Sequence, residues 1–484
     1  MKSLKNDKAA DERGIVAELL KSSCVDLLQE ILVLFNSVLT LRSLPPDAWK
    51  LTRIIVLFKK GDPCLPQNYR PIAVVRILYK IFSKMLCARL AVFLQPQQSA
   101  EQAAYKPDFS TEDHLVGLAL LYEGAKEWNI DLWAVLVDFK KAFDSVDRQE
   151  LWKVLQEFGV PDGYILLLRA LYTDEVGKVV TDVESRFFPI ERGVKQGDPL
   201  SALLFISVLE HCMRKLKQKW LKLNARRKGL GYGIVIDAPD DPLTNLRFAD
   251  DVLLVAQCKS DAQKMLVDLE ATASTYGLKV HMGKTKLLSL RPTKYEHVVV
   301  AGNLVRILAS GEFERYLGRK LSFDDFHIVE LQNRIAAGWA SFAKFKAELC
   351  NRHITADIRI RLFQTVVTPS VLYGCAAWTL TDAMKGSLRT VQRRMLRMML
   401  AKRRSLETIP YVEWIQLETS RIEIMLKCRG IRLWDDAAEH RKHVFATKMF
   451  LAADDRWNKR LLQWSPMGKR SVGRPRKRWQ EVFR

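Results

Sequence analysis

Apolar and polar positions follow two rhythms along this chain, one of helices and one of strands. Through residues 1–50, Ile15, Leu19, Leu20, Leu27, Ile31, Leu34 and Val38 recur at near-helical spacing, and Leu44-Pro45-Pro46 closes the segment. Arg53–Phe58 reads as a strand. Asn68-Tyr69-Arg70-Pro71-Ile72 is a second extended stretch, because Pro71 pushes the residue before it out of the helical region. An amphipathic helix is predicted over 76–94 and broken by Gln95-Pro96, and Thr111-Glu112-Asp113-His114 marks the next helix start. Leu132–Val137 is a nearly unbroken apolar run, the mark of a strand covered on both faces, and it delivers Asp138 at its end. Asp147, with Glu150 three residues on, caps a helix that Gly159-Val160-Pro161 stops. A glycine-bearing loop, Gly193–Ser201, opens an apolar helix over 202–213. In Leu246–Val255 two apolar runs flank a tight turn that carries Asp250 and Asp251. A helix over 261–276 ends at Gly277, Tyr316-Leu317-Gly318 marks a short hairpin, and from Asp325 the pattern is almost wholly helical. There Met384, Leu388, Val391, Met395 and Met398 form an apolar stripe, expected as plain core.

Composition narrows the classes. With 484 residues, 48% hydrophobic and 27% charged, the chain is globular, with room for several domains or one multi-lobed one. A net charge of +22 points to polyanionic partners, nucleic acid ahead of anionic membrane. No apolar run approaches a membrane span, and the N-terminus lacks the apolar core of a secretory signal. The eight cysteines form no CxxC pair, which argues against a disulfide framework or a zinc finger and favours an intracellular setting, nucleus or cytoplasm. Residues 385–484 hold 25 Lys and Arg against 10 Asp and Glu, most of the chain's excess. The Gly/Pro-broken end, Gly468–Trp479, reads as a flexible basic tail, a phosphate-backbone contact or a nuclear import signal. Gly473-Arg474-Pro475 matches the core of a minor-groove AT-hook, with Val472 in place of the expected Arg.

Candidate chemistry sits on the loops. Adjacent carboxylates at a hairpin tip repel each other, so Asp250-Asp251 is either a solvated turn or a seat for a hard divalent cation. Asp138, emerging from a buried strand, is a loop start or a metal ligand. Lys59, Lys60 and Arg70 on a Gly/Pro loop form a phosphate clamp or a solvated basic loop. Gln196 and Gly197, before a helix N-terminus, form an anion-friendly ledge or a structural turn. Taken together, three carboxylates with two Mg2+ ions would suit in-line phosphoryl displacement.

Order and wording of these motifs resemble the reverse transcriptases of non-LTR (LINE-type) retrotransposons over roughly residues 1–400. The resemblance rests on Arg53–Ile72 (RIIVLFKKGDPCLPQNYRPI), Val135–Val146 (VLVDFKKAFDSV), Gly193–Phe205 (GVKQGDPLSALLF), Phe248–Asp251 (FADD), Gly277–Lys286 (GLKVHMGKTK) and Tyr316-Leu317-Gly318 (YLG). It implies an α+β right-hand polymerase with an antiparallel-sheet palm, helical fingers and thumb, and a basic, mostly helical C-terminal extension. The expected division is a helical lead-in over 1–50, fingers and palm over 51–324, a thumb-like segment over 325–400, and a nucleic-acid-binding region over 401–484 with a flexible tail over 466–484. The implied activity is RNA-directed DNA polymerisation, by two-metal transfer from dNTPs onto a primer 3′-hydroxyl. RNA template, DNA primer or target and dNTPs are the implied partners; Mg2+, or Mn2+ in its place, is the implied cofactor.

Implied roles follow residue by residue. Asp138, Asp250 and Asp251 match the metal-binding triad. Phe143 matches the bulky side chain that excludes a ribose 2′-hydroxyl. Gln196 and Gly197 match the loop at incoming nucleotide and template; Lys59, Lys60 and Arg70 match the triphosphate contacts. Lys284 matches the lysine that protonates pyrophosphate. Asp108-Phe109 stands where the family usually has Gly-Arg, Ala202 where it often has Pro, and His281 where it often has Asn. A separate or missing endonuclease is expected. The alternative on the same fold is a catalytically impaired or repurposed nucleic-acid-binding protein. An RNA polymerase or maturase on this palm fits less well, since Phe143 leaves little room for a 2′-hydroxyl.

Overall fold

The computed structural model describes the chain apart from residues 1–3, 9, 12, 60, 226–230, 239, 403–408, 467–469, 471–476 and 484. Its strands, in chain order, are β1 (Leu51–Phe58), β2 (Tyr69–Val74), β3 (Trp133–Val137), β4 (Val176–Val180), β5 (Phe188–Pro189), β6 (Asn245–Phe248), β7 (Asp251–Ala256), β8 (Lys286–Ser289), β9 (His297–Val300), β10 (Asn303–Ile307), β11 (Glu314–Tyr316) and β12 (Arg319–Leu321). They form a six-stranded sheet in the order β6-β7-β3-β8-β10-β9, a four-stranded sheet in the order β2-β1-β4-β5, and the β11–β12 hairpin. The large sheet is antiparallel except at β8–β10, which pair in parallel. This departs from the antiparallel expectation for a topological reason. After β8 the chain lays β9 at the edge, then turns back through Ala301 (φ 46) and Gly302 (φ 78), so β10 runs in the direction of β8.

β3 is apolar throughout because the sheet is covered on both sides, and side chains point alternately to each. Val135, Val137, Val252, Leu254 and Leu287 enter one core, with Phe205 and Leu209 of the helix Pro199–Asn224 and Leu266 and Leu269 of the helix Lys259–Ser274. Ala134, Leu136, Leu253, Val255 and Leu288 enter a second core, with Leu115, Leu118 and Leu121 of the helix Thr111–Glu127. That helix starts where the sequence places it, with the Ser110 amide and hydroxyl both donating to Asp113 Oδ2 (2.8 and 3.1 Å). Asp147 likewise caps its helix, accepting from the amides of Gln149 and Glu150. The helix predicted over 202–213 runs longer, from Pro199 to Asn224.

The second core also takes in Phe445, Met449, Trp457, Leu461 and Trp479 from the C-terminal region. Of these, Trp479 alone lies within the span 466–484 expected as a flexible tail, and there the structure departs from the expectation. Trp479 is fully buried, its amide donates to Glu123 Oε2 (2.8 Å) and its indole Nε1 to the Ala376 carbonyl (2.6 Å). An apolar sheet face has to be covered, and this tryptophan belongs to the cover. Gly468, Lys469 and the Gly473-Arg474-Pro475 motif lie outside the described residues.

A third core spans Leu331 to Ala438, so the expected boundary at 400/401 cuts through a shared interior. Within it Met384, Leu388 and Met395 are buried as expected, whereas Met398 is exposed and Met399 takes the inward place. In the lead-in, Ile31 and Val38 are buried but Leu19 and Leu27 face solvent. No helix among the described residues is long and apolar enough to cross a membrane. Replacing Trp479 by Ala should destabilise the fold by about 3–5 kcal/mol, read as a lower urea midpoint by circular dichroism. An unchanged midpoint would mean that the indole is not part of the sheet's cover.

Candidate active site

The sheet register assembles the acids. β3 and β7 pair up to Val137 opposite Val252, so one further rung sets Asp138 beside Asp251. β6 and β7 pair up to Phe248 opposite Asp251, leaving Ala249 and Asp250 as the turn. Ala249 adopts φ 56, a value non-glycine residues rarely take. The strained turn is braced from outside the hairpin. Fully buried Gln102 accepts through Oε1 from the Ala249 amide (3.1 Å) and the Ala104 amide (3.0 Å). Nearby, buried Arg247 meets Glu210 (2.8 Å) and donates to Ser99 Oγ (2.6 Å), fixing β6 against the helix Pro199–Asn224. On the other strand, the Asp138 amide donates to Thr285 Oγ1 (3.3 Å), and its carbonyl accepts from the His281 amide (2.7 Å). The same 281–285 segment presents Lys284, whose Nζ lies 3.7 Å from Asp138 Oδ2.

Charge crowding follows. Burial pushes the Asp250 carboxyl above its ordinary range, with Asp138 adding to the rise and Arg70 and Lys59 opposing it. Asp251 is pushed up to about 6, first by desolvation, then by Asp250 and Asp138. Its side chain still reaches solvent. Lys59 is held below its ordinary value by desolvation and by the cations Arg70 and Lys284. Six residues singled out in the sequence, Asp138, Asp250, Asp251, Lys59, Arg70 and Lys284, therefore share one electrostatic site. Lys60 lies outside the described residues. Tyr105 and Tyr316 also feel these acids: after desolvation, Asp250 raises the first phenol's pKa and Asp251 the second.

Gln196 and Gly197 join through the backbone. The Ala73 amide of β2 donates to the Gln196 carbonyl (2.8 Å), three residues along from Arg70. Gly197 has φ 114, and a Cβ there would come within 3.0 Å of the Ala73 carbonyl oxygen, so only glycine seats this loop on β2. Phe143 is half-buried, its carbonyl accepting from the Val194 amide (2.8 Å) and its ring stacked on Phe205.

Several supporting residues escaped the sequence reading. Gln102 and Thr285 carry no signal there, because the site residues they hold, Ala249 and Asp138, are more than a hundred residues away in sequence. Lys195 and Asp198 stand in the glycine-bearing loop, where nothing in the local sequence marks them as buried. Both are buried. Lys195 Nζ donates to the Trp49 carbonyl (3.1 Å) and lies 3.6 Å from Glu175, which also takes Arg148 (2.7 Å). Asp198 accepts from Ser83 and Tyr79. Both flanks of the Gln196-Gly197 loop are thus tied into the interior.

Among the described residues, no three His, Cys, Asp or Glu side chains close into a metal cage. Magnesium needs none: it usually binds one or two carboxylates and completes its shell with water and substrate phosphates. Three mutually repelling aspartates beside a cationic arm of Lys59 and Arg70 fit an open divalent site that receives a polyphosphate.

A family model described as reverse transcriptase (RNA-dependent DNA polymerase) matches residues 58–320, more than half of the chain. An uncharacterized transposon-derived protein of Caenorhabditis elegans is 31% identical over 252 residues, 50% of this chain and 84% of that protein. The Pol polyprotein from a type-1 retrotransposable element R2 of Popillia japonica is 27% identical over 380 residues, 73% of this chain; the chain spans 48% of that polyprotein's length. The telomerase structure from Candida albicans, in complex with a telomeric RNA fragment, aligns at TM-score 0.44 and 13% identity, over 77% of this chain and 65% of that one.

A proton on Asp251 competes with a cation. Its raised pKa means that the folded, metal-free protein holds this proton up to about pH 6, where an unfolded Asp has already lost it. Without a divalent ion, Asp251 therefore costs stability as pH rises from about 4 to 6. Calorimetric Mn2+ titration should show affinity rising from pH 5.5 to 7.5, with protons released near pH 6. Affinity independent of pH over that range would contradict the crowded-carboxylate account.

Proposed function

The chain belongs to the reverse transcriptase (RNA-dependent DNA polymerase) family, and from that premise we propose that it extends a DNA 3′ end from dNTPs by copying an RNA template, as the polymerase of a non-LTR retrotransposon. One observation carries the proposal: Asp138, Asp250 and Asp251, from two strands far apart in sequence, share a single site flanked by cations. In this reading the six-stranded sheet is the palm, the four-stranded sheet with the helix Ile77–Leu94 belongs to the fingers, and the helices from Phe326 onward form the thumb.

Divalent ions, two Mg2+ or Mn2+ in their place, would be held by Asp138, Asp250 and Asp251, and when bound would neutralise the triphosphate and acidify the primer hydroxyl. The chain's own groups supply position and charge. Arg70 offers a planar fork of donors to phosphate oxygens, and Lys59 a mobile point charge beside it. Lys60 is assigned the same role from its place in the motif. Lys284, whose Nζ lies 3.7 Å from Asp138 Oδ2, is assigned the role of giving its proton to departing pyrophosphate. Phe143 limits the space at the sugar's 2′ position. Gly197 seats its loop on β2, and with Gln196 it forms the loop assigned to template and incoming nucleotide.

Purified protein should extend a DNA primer on an RNA template, and Asp250→Asn should lower that rate by at least ~10²-fold while leaving primer–template affinity intact. Equal rates in both proteins would refute the assigned site.

A further inference from the structure

We infer that Phe205, buried in the core and remote from solvent, sets how strongly the site prefers 2′-deoxyribose over ribose, by holding the ring of Phe143 in place. The inference rests on the reading of Phe143 as the sugar-facing residue. The two rings stack with centroids 4.4 Å apart and planes 18° from parallel, a close aromatic pair. Phe205 is fully buried in the second turn of the helix Pro199–Asn224, whereas Phe143 is half-buried. One ring is therefore fixed in the core, and the other is backed by it.

The main chain around Phe143 leaves its ring little other freedom. Phe143 lies in the single turn Ala142–Ser145, entered through Lys141 at φ 46. Its carbonyl is bonded to the Val194 amide (2.8 Å), and the Gly193 amide donates to Val146 (2.8 Å). A Cβ at Gly193 would meet the Asp144 backbone at 2.6 Å, so the two segments are in close contact. With the backbone clamped, the side-chain torsions decide where the ring stands, and the flat face of Phe205 restricts them. A group that excludes one hydroxyl must be held to within about 0.5 Å, which a ring packed on one side only by water cannot achieve. Phe205 lies in the second turn of the helix that the Gln196-Gly197 loop opens, so the ring's support and the nucleotide loop are joined through one helix.

Phe205 is thus a positioning residue. Its test compares equilibrium binding of dATP and ATP, with Mg2+, to the protein on a primer–template whose primer ends in a dideoxynucleotide. The variants are Phe205→Leu, which fills much of the space without a flat face, and Phe143→Ala, which removes the ring itself. Both are checked for folding by circular dichroism. Phe205→Leu should keep dATP affinity close to wild type while the preference for dATP over ATP falls by roughly 10-fold, the scale of a lost aromatic pair. Equal weakening of both nucleotides, with the preference intact, would overturn the inference while leaving the gate in place, provided Phe143→Ala does lose the preference. A preference unchanged in Phe143→Ala would remove the gate and the inference together. Failure of the wild type to bind dATP would reject the polymerase reading itself.

Discussion

Carboxylates repel, and the whole arrangement depends on a sheet strong enough to hold three of them together. The register that pairs Val137 with Val252 is set by two cores, one on each side of β3 and β7. A slip of one residue would send every apolar side chain to the wrong face. Burying the five side chains of β3 is worth on the order of 10 kcal/mol as an upper estimate. That gain holds Asp138 and Asp251 side by side at the ends of adjacent strands. Desolvation raises the pKa of Asp250 and Asp251 first, and the residual repulsion from the neighbouring carboxylates adds to the rise.

Around this centre, buried polar groups hold loops that packing alone would leave free. Gln102 braces a turn in which Ala249 has an unfavourable φ. Thr285 and the His281 amide fix Asp138 from the other side. Lys195, Glu175, Arg148 and Asp198 tie the Gln196-Gly197 loop to the helix Ile77–Leu94 and to the start of β1. A buried ionic cluster of this kind contributes little net stability but specifies one arrangement, since a charge left without its partner is expensive. Through Thr52 it also holds β1, the strand that leads to Lys59.

Local patterns were legible wherever local physics decides the outcome. The unbroken apolar run before Asp138, the hairpin around Asp250, the helix start at Thr111 and the cap at Asp147 could all be read from neighbours within a few residues. The parallel β8–β10 pair could not, because it depends on which edge β9 occupies. Neither could the brace at Gln102, whose partner is Ala249, nor the burial of Trp479, whose basic surroundings resemble a solvated tail. Met398 and Met399 differ by one position on a helix, and which of them turns inward depends on the neighbouring helices. Of the site, the charged and acidic residues stood out, while their supports stayed hidden.

The central claim is that Asp138 and the Asp250-Asp251 turn share one cation site. Iron-dependent cleavage tests it most directly: Fe2+ takes the place of Mg2+, ascorbate and peroxide generate hydroxyl radicals at the metal, and the cut backbone is mapped by mass spectrometry. The expected result is paired cleavage close to residue 138 and close to residues 250–251, suppressed together by excess Mg2+. Cleavage at only one of these segments, or at neither, would contradict the account.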